Sequence, residues 1–130
     1  MPEYYYDHIH LASPDTLKTA EFYEEMFQAK RVSVMERGEG LVSVELSLNG
    51  SRLLIRPGKV RTDISPGSED PAHGLEHFGI RTDNLEAAVT DLKAKGVKFR
   101  DEIREIRPGI KISFLWAPEN VLIELLEVNS

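Results

Sequence analysis

The sequence contains no cysteine, so disulfides and thiolate metal sites are both excluded, and any metal ion would have to be held by His, Asp or Glu. No run of residues approaches the roughly 18 apolar positions of a membrane span. Positive charge is in short supply: 16 Lys and Arg stand against 22 Asp and Glu, a formal net charge of -6. Nucleic acids and anionic membranes need clustered cations to displace counterions, so neither is expected as a partner, and a small molecule is. The opening residues, Met-Pro-Glu-Tyr-Tyr-Tyr-Asp, lack the basic and apolar regions of a signal peptide, which makes the cytoplasm the expected compartment. What the 130 residues do contain, 41% hydrophobic and 29% charged side chains, is the composition of one soluble domain spanning residues 1–130.

The order of elements repeats along the chain. Residues 4–12 alternate as a strand, Ser13-Pro14-Asp15 starts a helix, and Leu17, Ala20, Phe22, Tyr23 and Phe27 recur at helical spacing. Strands follow over 32–35, 41–48 and 51–56, the last two joined by Asn49-Gly50, a pair suited to the positive backbone angles of a tight hairpin. After a polar connection over 58–74 the pattern returns: a strand at 75–82, a helix capped by Asn84 with Leu85, Ala88, Val89 and Leu92 on one face and Gly96 at its end, then strands at 97–101, 110–116 and 121–128. Residues 101–108 alternate weakly and fit either strand or loop. The expectation is an α+β fold of two βαβββ modules, residues 1–57 and 75–130, built on a duplicated unit.

Within this frame His8, His77 and Glu124 stand out. Each is a metal-ligand side chain placed in a predicted strand, and a carboxylate in an apolar strand costs several kcal/mol to bury unless paired or bound to a cation. Strand parity sends Ile9, Leu11, Phe78 and Ile80 toward the helices, and Tyr6, His8, His10, His77, Gly79 and Arg81 the other way. Glu124 joins the second set if Val121, Ile123 and Leu125 cover the helices. A plainer reading exists for each: a strand histidine as a hydrogen-bonded surface group, Arg81 as the partner of a surface carboxylate, Tyr4-Tyr5-Tyr6 as an edge or dimer contact.

Three stretches together resemble the vicinal oxygen chelate superfamily, which includes glyoxalase I, methylmalonyl-CoA epimerase, extradiol dioxygenases, and fosfomycin- and bleomycin-resistance proteins. They are Asp7-His8-Ile9-His10-Leu11 with Phe22-Tyr23, Leu75-Glu76-His77-Phe78-Gly79-Ile80 with Asp83, and Ala117-Pro118-Glu119-Asn120-Val121-Leu122-Ile123-Glu124-Leu125. The resemblance implies paired modules in a curled eight-stranded mixed sheet with helices outside, a cavity metal held by one residue from each of four strands, and a homodimer. His8 then matches the first ligand, His77 the third and Glu124 the fourth. The second position aligns with Leu53, or with Ile55 on a slip of two residues, and carries no ligand; Arg52, Arg56 and Glu45 are expected to face elsewhere.

Two histidines and one carboxylate leave up to three positions open on a metal, the set found in non-haem iron oxygenases and retained by extradiol dioxygenases. The expected cofactor is therefore a divalent ion, Fe or Mn ahead of Zn, Ni or Co. It would bind a substrate through two adjacent oxygens, with His10 as acid or base, Arg81 as anchor for a carboxylate or phosphate, and Tyr6, Leu53, Phe114 and Trp116 lining the pocket. Glu39 lies in a stretch resembling one where epimerases carry a carboxylate base, and equally reads as a Gly-flanked turn residue. Three classes stay open: a dioxygenase-like enzyme, a glyoxalase- or epimerase-like lyase or isomerase, and a metal-free binding or resistance protein.

Overall fold

A computed structural model describes residues 1–58, 67–70 and 73–129, and the chain divides into two compact units, Met1–Ser65 and Pro66–Ser130. The expected connection over 58–74 falls largely outside the described residues. Among the described residues no helix is long and apolar enough to cross a membrane.

The first unit runs β1 (His8–Ser13), α1 (Thr16–Phe27), β2 (Lys30–Gly38), β3 (Leu41–Leu48) and β4 (Ser51–Pro57), in sheet order β1-β4-β3-β2 with β1 parallel to β4. Asp15 caps α1, its carboxylate accepting the Lys18 backbone N–H at 3.1 Å. The Asn49-Gly50 turn has positive φ at both residues (50° and 94°), and the register it sets places Leu48 opposite Ser51 and Glu45 opposite Leu54.

Because side chains alternate across the sheet, Val44, Leu46, Leu53 and Ile55 form one buried face. Helix α1 docks on it: Thr16 donates to the Val42 carbonyl at 2.7 Å, and the Ser13 and Thr19 hydroxyls meet at 2.7 Å. His8, His10, Glu45, Arg52, Leu54 and Arg56 occupy the opposite face, since β1 and β4 pair His8 with Arg52 and His10 with Leu54. This corrects the expected phase of β4. Leu53, expected to line a pocket, is buried in the core under α1, and the counterpart of a ligand position is Leu54. Tyr6 is corrected too. It precedes β1 and is 78% exposed, because the partner strand β4 begins at Ser51, next to the residue that pairs with His8, and offers no backbone further upstream.

Tyr23 of α1 is buried with its ring against Phe22 and Phe27. Its hydroxyl finds no hydrogen-bond partner among the described residues, and burial pushes its pKa well above the ordinary value. A buried hydroxyl without a partner carries a desolvation cost with no return. Tyr23→Phe keeps the ring contacts and is expected to leave stability unchanged or raise it by up to about 1 kcal/mol, read from the urea midpoint; a loss of more than that would show a hydrogen bond in solution.

The second unit runs β5 (Phe78–Arg81), α2 (Leu85–Ala94), β6 (Lys98–Phe99), β7 (Arg104–Arg107), β8 (Ile110–Ala117) and β9 (Val121–Val128), in order β5-β9-β8-β6, with β7 also on β8. Strands β6 and β7 occupy successive stretches of β8, Phe99 opposite Leu115 and Arg104 opposite Ile112, so they act as one interrupted strand. With that pair counted together, the unit repeats the first: β5 parallel to β9 as β1 is to β4. At the interruption Asp101 stands in for a backbone partner, its carboxylate accepting the Phe114 N–H at 2.9 Å. Asn84 caps α2 through the Ala87 N–H, and Glu127 reaches from β9 to accept the Leu85 N–H at 2.8 Å. That backbone bond and one from Asn129 hold the Glu127 carboxyl below its usual pKa. The helix buries Leu85, Val89 and Leu92. On the sheet, Ile123 and Leu125 form a buried face with Leu115.

Candidate metal centre

On the other face of β9, register places Glu124 between Gly79 of β5 and Phe114 of β8. His77 lies one residue before β5 and shares the parity of Gly79. Its Nε2 is 3.8 Å from a Glu124 carboxylate oxygen, and its Nδ1 is 2.5 Å from Glu76. The surroundings are apolar: Ile112, Phe114 and Leu122 pack together with Trp116 and Leu126 against them. The His77 ring meets Phe114 edge-on at 5.1 Å, and the Arg100 guanidinium stacks on the same Phe114 ring at 4.2 Å. Arg81 is on this face as well, opposite Leu126, and exposed.

Glu124 is the chemically demanding member. Its side chain is only 21% exposed, and among the described residues it pairs with no Lys or Arg. Its neighbour is an imidazole nitrogen. A carboxylate so placed is under-compensated, and a carboxylate facing the free nitrogen of a histidine is a donor set that suits a divalent ion. Residues of the second unit therefore fit two positions of a metal site.

The matching corner of the first unit carries one such residue. His8 opens β1, with Nδ1 2.6 Å from Asp7. Arg52 donates to the same Asp7 oxygen at 2.7 Å and grips Glu45 at 3.2 and 3.3 Å. The hydrogen bond from His8, and then the charge of Arg52, hold the Asp7 carboxyl below its ordinary pKa. His10 meets His8 edge-on at 5.7 Å; burial first, then Arg56, His8 and Arg37, push its pKa down. Topology aligns His8 with His77, His10 with Gly79 and Leu54 with Glu124. Within each unit, among the described residues, no three His, Asp or Glu side chains gather closely enough to hold an ion.

Two features of these sites have no clear sequence signal. Arg100 reaches Phe114 through the interruption between β6 and β7. The carboxylate before each histidine is visible in sequence, but strand neighbours point to opposite faces; contact is made because Asp7 and Glu76 lie outside the strands, where that alternation does not apply. Glu39 sits with positive φ between Gly38 and Gly40 in the turn joining β2 to β3, as a turn residue does.

Residues 5–125 match the Glyoxalase/Bleomycin resistance protein/Dioxygenase superfamily. The chain belongs to that superfamily. It is 31% identical to human mitochondrial methylmalonyl-CoA epimerase over 92% of its own length and 71% of the epimerase. It is 27% identical to lactoylglutathione lyase of Schizosaccharomyces pombe, with 97% of this chain spanning 48% of that longer protein. The fold is similar to that of the fosfomycin resistance protein FosX from Listeria monocytogenes, with TM-score 0.75, 17% identity, and 98% and 96% of the two chains covered. That protein has also been solved with Mn(II) and sulfate. The superfamily is thus represented near this chain by an epimerase, a lyase and a resistance protein.

Proposed function

We propose that the protein is a divalent-metal enzyme that takes a small substrate through two adjacent oxygens and moves a proton next to a carbonyl, as epimerases, isomerases and lyases do. The observation carrying this reading is Glu124, a largely buried carboxylate on an apolar face, 3.8 Å from His77 Nε2. His77, Glu124 and His8 are the proposed ligands. Fe or Mn fits the set, with Zn, Ni or Co as the alternative. When bound, the ion would supply positive charge beside the oxygen on which negative charge develops. His10, whose pKa is lowered, is suited to accept or return a proton. Arg81 and Arg100 are suited to an anionic substrate group, and Phe114 with Trp116 provides a floor that excludes water. Similarity to methylmalonyl-CoA epimerase favours an acyl thioester with a carboxylate on the reacting carbon. The reading includes a cytoplasmic homodimer.

A second reading keeps the ligands and changes the chemistry. Leu54 occupies the place in module one that Glu124 holds in module two, so three protein ligands leave the ion open enough for an oxygenase. The test is metal content of the purified protein, followed by two assays on protein loaded with Mn, Co or Fe. Wash-in of solvent deuterium at the α-carbon of methylmalonyl-CoA supports proton transfer. Iron-dependent oxygen uptake with catechols, without deuterium wash-in, replaces it with the oxygenase reading. Absence of any metal, with tight binding of aromatic ligands, defeats both in favour of a binding protein.

A further inference from the structure

We propose that Asp7 and Glu76 are positioning residues that hold His8 and His77 in the tautomer carrying hydrogen on Nδ1, so that each imidazole presents a bare Nε2. The proposal rests on the metal reading only for what Nε2 then binds. A neutral imidazole has one donor and one acceptor nitrogen, and an ionised carboxylate can only accept. A carboxylate 2.6 Å from His8 Nδ1 and another 2.5 Å from His77 Nδ1 therefore assign the hydrogen to Nδ1 in both. A hydrogen bond to an ionised carboxylate is charge-assisted and stronger than a neutral one.

Two further observations argue for function. Asp7 and Glu76 are 69% and 57% exposed, so water alone would satisfy them, yet both modules make the same contact independently. The Nε2 of His77 also faces a Glu124 oxygen at 3.8 Å. With the hydrogen on Nδ1, that nitrogen and the Glu124 oxygen are two acceptors, a pair that a cation would bridge.

The two arms are not equally braced. Asp7 is itself gripped by Arg52, whose guanidinium is held from its other side by Glu45, forming a chain from His8 through Asp7 and Arg52 to Glu45. In the second unit the position aligned with Arg52 is Leu122, which cannot brace Glu76. His8 is accordingly the more tightly oriented of the pair.

The test uses the metal-free full-length protein labelled with 15N histidine and reads each ring's tautomer from long-range 1H–15N correlations. Expected in the wild type is a strong Nδ1–H preference at His8 and His77. Asp7→Ala should move His8, and only His8, toward the Nε2–H form that a free side chain prefers; Glu76→Ala should do the same to His77 alone. Asp7→Asn and Glu76→Gln keep an acceptor oxygen and should restore most of the preference. Arg52→Ala should weaken it at His8 and leave His77 unchanged. By calorimetry with Mn or Zn, each alanine variant should lose about 10- to 100-fold in affinity. Tautomers that do not move in the alanine variants, or rings doubly protonated at pH 8, overturn the assignment, whether or not the wild type binds metal. A wild type with the expected tautomers and no metal affinity would sink the metal reading and leave the positioning role standing.

Discussion

Glu124→Ala is expected to lower divalent-metal affinity by at least about 100-fold, beyond the loss typical of residues that only orient a ligand, and to remove catalytic turnover, while the melting temperature hardly changes. Glu124 lies on the face of β9 away from the buried Ile123 and Leu125 and is joined to no Lys or Arg among the described residues. Its truncation relieves a carboxylate of an apolar setting, so what is lost is the donor atom and its charge. Glu124→Gln should fail almost as badly, since it preserves shape and one oxygen without the charge. Elemental analysis beside a thermal melt measures both halves. If both variants retain their metal, the assignment of Glu124 as a ligand is wrong.

Ile123→Ala, one residue away, is expected to do the reverse. Ile123 is fully buried, on a strand flanked by β5 and β8. It pairs with Phe78 on one side and Leu115 on the other. Truncating such a side chain forfeits its transfer free energy and leaves a cavity that strands hydrogen-bonded on both edges cannot readily close. A loss of about 3 kcal/mol is expected, a large share of the 5–15 kcal/mol that holds a typical domain together. Metal affinity of the folded protein should change little. Urea denaturation gives the first quantity and calorimetry at low denaturant the second. The two substitutions together test the parity of β9: if Ile123→Ala loses metal while Glu124→Ala unfolds, the strand is turned over.

How far sequence reaches depended on whether a strand announces its own phase. In β9 the charge at Glu124, flanked by Val121, Leu122, Ile123 and Leu125, together with the helix-covering set, predicts the face observed. Asn49-Gly50 predicts the β3–β4 register, including Glu45 opposite Leu54. In β4, however, Leu53, Leu54 and Ile55 are apolar without a break, and nothing local says which of them meets the helix. A slip of one residue puts Leu53 where Leu54 belongs and, with it, sends Arg52, Arg56 and Glu45 to the wrong side. The N-terminal strand is overextended for a different reason: Tyr4, Tyr5 and Tyr6 have high strand propensity, but a strand exists only where a neighbour supplies backbone partners. The open stretch at 101–108 holds β7. The Arg100–Phe114 stack and the carboxylate–histidine contacts arise at strand interruptions and ends, where periodicity carries no information.

The likeness of the two parallel pairings, β1 with β4 and β5 with β9, is one of backbone and not of side-chain chemistry. One unit has an acid where the other has leucine, and the other has an imidazole where the first has glycine. Leu54 projects from the side of its sheet that α1 leaves uncovered, so that site is free to vary without disturbing the packing beneath. A reactive side chain could therefore stand at that position at little cost to folding.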